Sequence, residues 1–290
     1  MKQQIAQLMD ELAPLEAFND TALPDVRIHK SSHGLQREPL CYRQGIIIVG
    51  NGAKKIHLGS HTYHYNPDNY LVLTVPLPAE CEAIATPEDP LLAMMIDIDL
   101  TVLHEIITEM ESANRSFDSC PKGPGLFVSR STHEIHDASL RLLSALQSPD
   151  EARIIGPGVV RELLYRIMCS ENGNALYSLA TKNSNLARID RALKQIHSHY
   201  NEPMDVDELA SIVNMSPSSF HRTFKQVTGT SPIQYLKRIR LDKARSLFYE
   251  HGFRVNEVAR KVGYESSTQF SREFKRIFGH SPADVLKQVS

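Results

Sequence analysis

From Val206 onward, apolar positions recur at helical spacing, and the pattern occurs twice. Val206, Leu209, Ala210 and Val213 form one stripe, and Val255, Val258, Ala259 and Val262 form a second. Each stripe ends in a break, at Asn214-Met215-Ser216-Pro217 in the first copy and at Gly263 in the second. Asn and Gly tolerate the left-handed backbone that stops a helix, and Ser before Pro opens the next one. Asp205, with Glu208 three residues later, predicts a capping box at the start of the first copy. Two phenylalanines four apart follow in each copy, Phe220 and Phe224, then Phe270 and Phe274. The copies close on Gly229-Thr230-Ser231-Pro232 and Gly279-His280-Ser281-Pro282. The phenylalanines are offset by 50 residues and the opening stripes by 49, so one residue is inserted in the turn between the two blocks. Each copy therefore predicts a helix-turn-helix, at about 206–227 and 255–276.

Between the copies, Leu236, Ile239, Ala244 and Leu247 predict one long helix over Tyr235 to Phe248, with basic residues on its other side. Such a helix can hold two units at a set separation. Leu186, Ile189, Leu193 and Ile196 predict a further helix over Asn185 to Tyr200. If the paired phenylalanines face the core, Ser218, His221, Arg222 and Lys225 face outward in the first copy. Ser267, Thr268, Gln269, Ser271, Arg272 and Lys275 do so in the second. Arg and Lys bond guanine, Gln bonds adenine, and Ser or Thr serve base or phosphate. Lys225 and Lys275 lie a turn deeper and are expected on phosphate. Plain solvated polar faces are the alternative, but the matching Arg and Phe positions in both copies argue against it.

These residues resemble the DNA-binding domain of the AraC/XylS family of bacterial transcription regulators. The resemblance runs over about 186–288 and rests on Leu209-Ala210, Ser216 to Phe224, the helix from Tyr235 to Leu247, Val258-Ala259, Val262-Gly263-Tyr264, Ser266 to Phe274 and Gly279 to Pro282. It implies seven helices, with base contacts from the second helix of each unit. By position those contacts fall on Ser218, His221, Arg222, Ser267, Thr268, Gln269, Ser271 and Arg272.

The period differs in the first half. Gly45 to Val49, Lys54 to Leu58, Thr62 to Tyr65, Tyr70 to Val75, Glu80 to Ala85 and Leu91 to Asp99 predict short strands. Turn residues separate them at Gly50-Asn51-Gly52, Gly59-Ser60, Asn66-Pro67-Asp68 and Thr86 to Pro90. Such spacing predicts a small sandwich or barrel. Helical spacing returns at Thr101 to Met110, His133 to Gln147 and Gly158 to Cys169, for packing on the barrel or for a dimer seam. Met1 to Phe18 predicts an amphipathic helix rather than a signal peptide, and no apolar run reaches membrane-spanning length. Over about 25–170 the chain resembles the AraC-type regulator N-terminal domain. That resemblance rests on Pro39-Leu-Cys-Tyr42, Gly52-Ala-Lys54, Leu58-Gly59, Tyr63, Tyr65-Asn66-Pro67, Tyr70 to Pro78, Leu91 to Asp99 and Arg161 to Arg166. It implies a cupin-like β-barrel, small-molecule sensing and a homodimer. The family further implies RNA polymerase as a partner, and relatives of this module are mostly described as activators.

The expected fold class is α+β: a cupin-like β-barrel with flanking helices, then an all-α domain with two helix-turn-helix units. The expected domains are 1–171 for sensing and dimerisation, a flexible linker over 172–185, and 186–290 for DNA binding. Charge supports the division. Residues 1–185 hold 15 Lys+Arg and 23 Asp+Glu, a balance of −8, while residues 186–290 hold 17 and 11, a balance of +6. A basic half of that size predicts salt-sensitive attraction to phosphate. Cys41, Cys81, Cys120 and Cys169 show no paired spacing, which predicts no zinc site and fits a reducing cytoplasm. Cys41, with Arg43 two residues on, is the candidate reactive thiol. His57, His61 and His64 crowd one hairpin, but His61 and His64 differ in strand parity, so no metal is expected. No cofactor motif is present.

The expected function is a cytoplasmic regulator that binds promoter DNA and responds to an unknown small-molecule inducer. An architectural DNA binder and a cupin enzyme fused to a DNA-binding domain are the other readings.

Overall fold

The computed structural model describes residues 1–115, 123–181, 184–249 and 253–289. Cys120 lies outside them. Helix α1 (Lys2–Glu11) comes first and buries Ile5 and Met9. The strands β1 (Phe18–Asp20), β2 (Val26–Ser31), β3 (Leu35–Tyr42), β4 (Gly45–Asn51), β5 (Ala53–Leu58), β6 (His61–Tyr65), β7 (Asn69–Leu73), β8 (Leu77–Ile84) and β9 (Leu91–Ile96) follow. After α2 (Leu100–Ser112), β10 (Leu126–Arg130) completes the strands. They form a six-stranded sheet in the order β1-β2-β9-β4-β7-β10 and a four-stranded sheet in the order β3-β8-β5-β6. Every pairing among the described residues is antiparallel. Strand β4 is buried from Gly45 to Gly50, because it lies centrally in its sheet with β9 on one side and β7 on the other, and α1 packs on it. Strand β8 alternates buried Leu77, Ala79, Cys81 and Ala83 with more exposed Pro78, Glu80, Glu82 and Ile84. Its sheet thus has an inner and an outer face.

Helices α3 (His133–Leu146), α4 (Pro149–Ile154) and α5 (Gly156–Met168) pack against one another, and α1 joins α3. Helix α6 (Asn174–Ala180) buries Leu176 and Leu179. The stretch 172–185 was expected to be a flexible joint; instead it carries this helix, since its two leucines find apolar partners in the core. The C-terminal part comprises α7 (Asn185–Ser198), α8 (Val206–Ile212), α9 (Pro217–Thr228), α10 (Pro232–Phe248), α11 (Val255–Lys261), α12 (Ser267–Phe278) and α13 (Pro282–Val289). Among the described residues these make seven helices, the number that the resemblance implied. The expected capping box at α8 is only half made: the Asp205 carboxylate accepts from the Asp207 N–H at 2.9 Å.

Strands β1, β2 and β3, with β10, α4 and α6, were not anticipated. The apolar core reveals a second unanticipated feature. One continuous cluster runs from Ile5 through the sheets to α7, α8, α9 and the start of α10, ending at Ile239. A separate cluster begins at Leu241 and includes Phe248, Phe270, Phe274 and Val285. The first helix-turn-helix unit shares its core with the sheets, and the second has its own.

Candidate nucleic-acid interface

Helices α9 and α12 are built alike. Ser216 Oγ accepts from the Ser219 N–H at the start of α9, and Ser266 Oγ accepts from the Gln269 N–H at the start of α12. Both helices close on a left-handed glycine, Gly229 (φ +74°) and Gly279 (φ +82°), whose N–H donates to a lysine carbonyl at 2.9 Å. Phe220 and Phe224 stack at 5.4 Å and Phe270 and Phe274 at 5.7 Å between ring centres, all fully buried. Tyr235 meets Phe224 edge-on, and Phe248 meets Phe274 in the same way. The aromatic pairs hold one face of each helix inward. On the other face, Ser218, His221, Arg222 and Lys225 are exposed on α9. Ser267, Thr268, Gln269, Arg272 and Lys275 are exposed on α12, with Ser271 partly so. A cleft beside Val255, Asn256, Ser267, Thr268 and Ser271 opens between the starts of α11 and α12. Each set clusters on its own helix, with Arg222 and Arg272 at matching positions.

Several basic residues of α10 are tied to neighbouring elements rather than left to solvent. Arg240 donates to the carbonyls of Tyr200 (2.6 Å) and Glu202 (2.8 Å), and Lys237 pairs with Glu273 of α12 at 2.8 Å. Arg245 donates to the Pro39 carbonyl of β3 at 3.3 Å. These cations hold α10 to its neighbours. Beside α10, the Tyr235 hydroxyl donates to the Pro76 carbonyl at 3.0 Å, and His197 Nε2 lies 2.8 Å from the same hydroxyl. Because the single hydroxyl proton goes to Pro76, Nε2 must carry the proton of the second bond. Burial, with Lys243 nearby, lowers the His197 pKa to about 4. The Gly125 N–H donates to the Val227 carbonyl at 2.8 Å, tying α9 to the loop before β10. Sequence reasoning missed this seam, because its partners are far apart in the chain and several are backbone carbonyls. A cleft of about 340 Å³ opens along it, lined in part by Arg37, His57, Lys237, Arg238 and Arg276.

Cys41 lies on this seam. Burial, together with Asp242, pushes its thiol pKa up against the opposing pull of Arg238 and Arg245. Its environment therefore favours the inert thiol over the nucleophilic thiolate, contrary to the expectation of reactivity. Arg43, the neighbour that motivated that expectation, stands 3.6 Å from Asp97 instead. His57 is held by Thr62 (2.9 Å) and Glu82 (2.8 Å). Among the described residues, no group of His, Cys, Asp and Glu is arranged to hold a metal.

Within the four-stranded sheet, register sets Lys54 opposite Tyr65 and Ile56 opposite Cys81. Lys54 Nζ lies 5.7 Å over the Tyr42 ring, and the Tyr42 and Tyr65 hydroxyls are 3.2 Å apart. Among the described residues, no carboxylate is within ion-pair distance of Lys54. Burial lowers its pKa, with the Cys81 thiol opposing. In the sequence this cation stood only as part of a motif, and that no carboxylate among the described residues pairs with it is visible only in three dimensions.

Residues 22–175 match the family model described as the AraC-type transcriptional regulator N-terminus, and residues 209–288 match a helix-turn-helix domain model. The HTH-type transcriptional activator RhaS of Klebsiella pneumoniae is 33% identical over 126 residues, covering 43% of this chain and 45% of that protein. RhaS of Escherichia coli O1:K1 is 28% identical over 156 residues, covering 54% and 56%. The chain spans about half the length of the curated relatives it matches. The fold is that of ToxT from Vibrio cholerae. The structure of wild-type ToxT bound to an unsaturated fatty acid aligns at TM-score 0.56 and 10% identity, over 90% of this chain and 94% of that one. A 1.65 Å structure of ToxT aligns at TM-score 0.55 and 12% identity, over 91% and 98%.

Proposed function

This chain belongs to the AraC-type transcriptional regulators, and from that premise we propose that it binds promoter DNA through α9 and α12 and activates transcription. The observation that carries the reading is the pair of alike helices, each pinned by two buried phenylalanines and each exposing an arginine at the same position. Arg222 and Arg272 are assigned to base edges, with His221, Ser218, Ser267, Thr268, Gln269 and Ser271 beside them. Lys225 and Lys275 are assigned to phosphate. The division into a sensor over 1–171 and a DNA-binding domain over 186–290 is part of the proposal, as is action in the cytoplasm. No described helix is long and apolar enough to cross a membrane.

The N-terminal barrel is assigned to a small-molecule inducer. Lys54, beside two tyrosine hydroxyls and without a carboxylate partner among the described residues, supports a polar ligand there. Relatives named as activators support activation, and ToxT bound to an unsaturated fatty acid supports ligand binding in this fold. A homodimer through the N-terminal helices is supported by exposed Ile154, Ile155 and Tyr165. Contact with RNA polymerase follows from the same premise. A ligand acts here by binding the DNA-competent and incompetent arrangements unequally.

The test is a titration of the full-length protein on labelled fragments from its own genomic neighbourhood across a salt series. Tight binding to an adjacent promoter, well above binding to the other fragments, is expected. Equal binding to every fragment at every salt concentration contradicts the proposal and favours an architectural role.

A further inference from the structure

The two readers differ at one buried carboxylate. Glu273 lies on the inner face of α12 and is 6% exposed. It accepts three hydrogen bonds: from Tyr264 Oη (2.8 Å), from Lys237 Nζ of α10 (2.8 Å) and from Gln269 Nε2 (3.3 Å). Fifty positions earlier, α9 has Thr223 in place of Glu273 and Ser219 in place of Gln269. The arrangement therefore exists only in the second reader.

Its consequence follows from hydrogen-bond chemistry. Burial raises the Glu273 pKa, but the bonds from Lys237, Tyr264 and Gln269 outweigh burial, and the net shift is downward. The side chain is thus ionised at neutral pH and can only accept. An amide beside an obligate acceptor must turn its nitrogen toward it. The carbonyl oxygen Oε1 of Gln269 is then the free end of an exposed side chain one turn into α12. Without Glu273 the amide could rotate by half a turn and present either end.

We infer that Glu273 is a positioning residue that orients Gln269 so that its Oε1 reads an exocyclic amino group in the major groove, on adenine or cytosine. This rests on the proposed reading of DNA by α12. Adenine is the better fit, because the second N–H of the amide remains free for N7. Lys237 ties the same carboxylate to α10, so the amide is oriented relative to the linking helix as well as to its own.

The test uses the full-length protein and a site enriched from random-sequence DNA. Gln269→Ala is expected to flatten the base preference at one position and leave the others. At that position, an adenine or cytosine analogue lacking the exocyclic amino group is expected to weaken wild-type binding roughly tenfold and to leave Gln269→Ala binding unchanged. Glu273→Gln retains a hydrogen-bonding group of the same shape but frees the amide to turn. In that variant the effect of the analogue is expected to shrink to about twofold. A loss of folding stability would lower affinity for every base alike and could not produce this pattern. The inference is overturned if Gln269→Ala changes no position, if the analogue binds as well as the natural base, or if Glu273→Gln shows the full tenfold effect. If the wild-type protein enriches no sequence, the proposed reading of DNA fails and takes this inference with it.

Discussion

At the scale of single residues, the aromatic anchors and the buried polar groups do different work. Phe224 is fully buried, stacks on Phe220 and meets Tyr235 edge-on. Removing it leaves a cavity where the first reader joins the main core, so Phe224→Ala is expected to cost about 3–5 kcal/mol. Denaturant unfolding checks this, and a variant that unfolds like the wild type contradicts the core assignment. His197 is the opposite case, a polar group kept neutral by burial. Its folded pKa of about 4 lies below the usual 6.5, so the unfolded chain binds the extra proton first. The resulting stability is present above about pH 6.5 and is lost as pH falls toward 4, by up to about 3 kcal/mol. Thermal melting from pH 7 to pH 4 is expected to show a shallower decline for His197→Gln than for the wild type. The phenylalanines were legible from their spacing. The burial of His197 was not, because its partner Tyr235 is 38 residues away, and the carbonyl that Tyr235 in turn bonds, Pro76, is 159 residues from Tyr235.

At the scale of elements, the repeat made the recognition helices readable. Spacing located the stripes, the glycine stops and the outward faces of α9 and α12, and β4 to β9 followed from turn residues and apolar runs. Strand β3 (Leu35–Tyr42) escaped notice because Arg37, Glu38 and Pro39 break its alternation. Arg37 lines the cleft beside α10, and the Pro39 carbonyl accepts from Arg245 of α10, so these positions serve a neighbouring helix rather than a core. Helix α6 escaped because Asn and Ser residues around it resemble a linker. Among the outward residues, Lys225 stands apart from the base-reading set. Lys225→Ala is expected to weaken binding to all DNA sequences alike and to reduce the slope of log K against log salt by about one. A loss confined to one sequence contradicts its assignment to phosphate.

At the scale of the whole molecule, the seam between the sheets and the first reader is what local pattern could least reveal. It is made of Arg245 on Pro39, Tyr235 on Pro76 and Gly125 on Val227, contacts that bridge distant parts of the chain. The repeat supplies an internal control for it. Gly229 and Gly279 both have positive φ, but a Cβ at Gly229 would come within 2.9 Å of Leu58 Cγ, whereas one at Gly279 meets nothing within 4 Å. Both alanine variants carry the backbone penalty of roughly 1 kcal/mol. Gly229→Ala is expected to cost more, because it also pushes α9 from β5. Equal losses in the melting temperatures of the two variants would show that the seam is absent in solution.

The central claim, that two readers contact DNA side by side, is tested most directly by hydroxyl-radical footprinting of the full-length protein on a promoter fragment that it binds. Two protected segments about one helical turn apart are expected for each bound subunit. Arg222→Ala should remove one and Arg272→Ala the other, each at a cost of about 1–3 kcal/mol on specific DNA. A single protected segment, or variants that weaken both segments equally, would contradict the account.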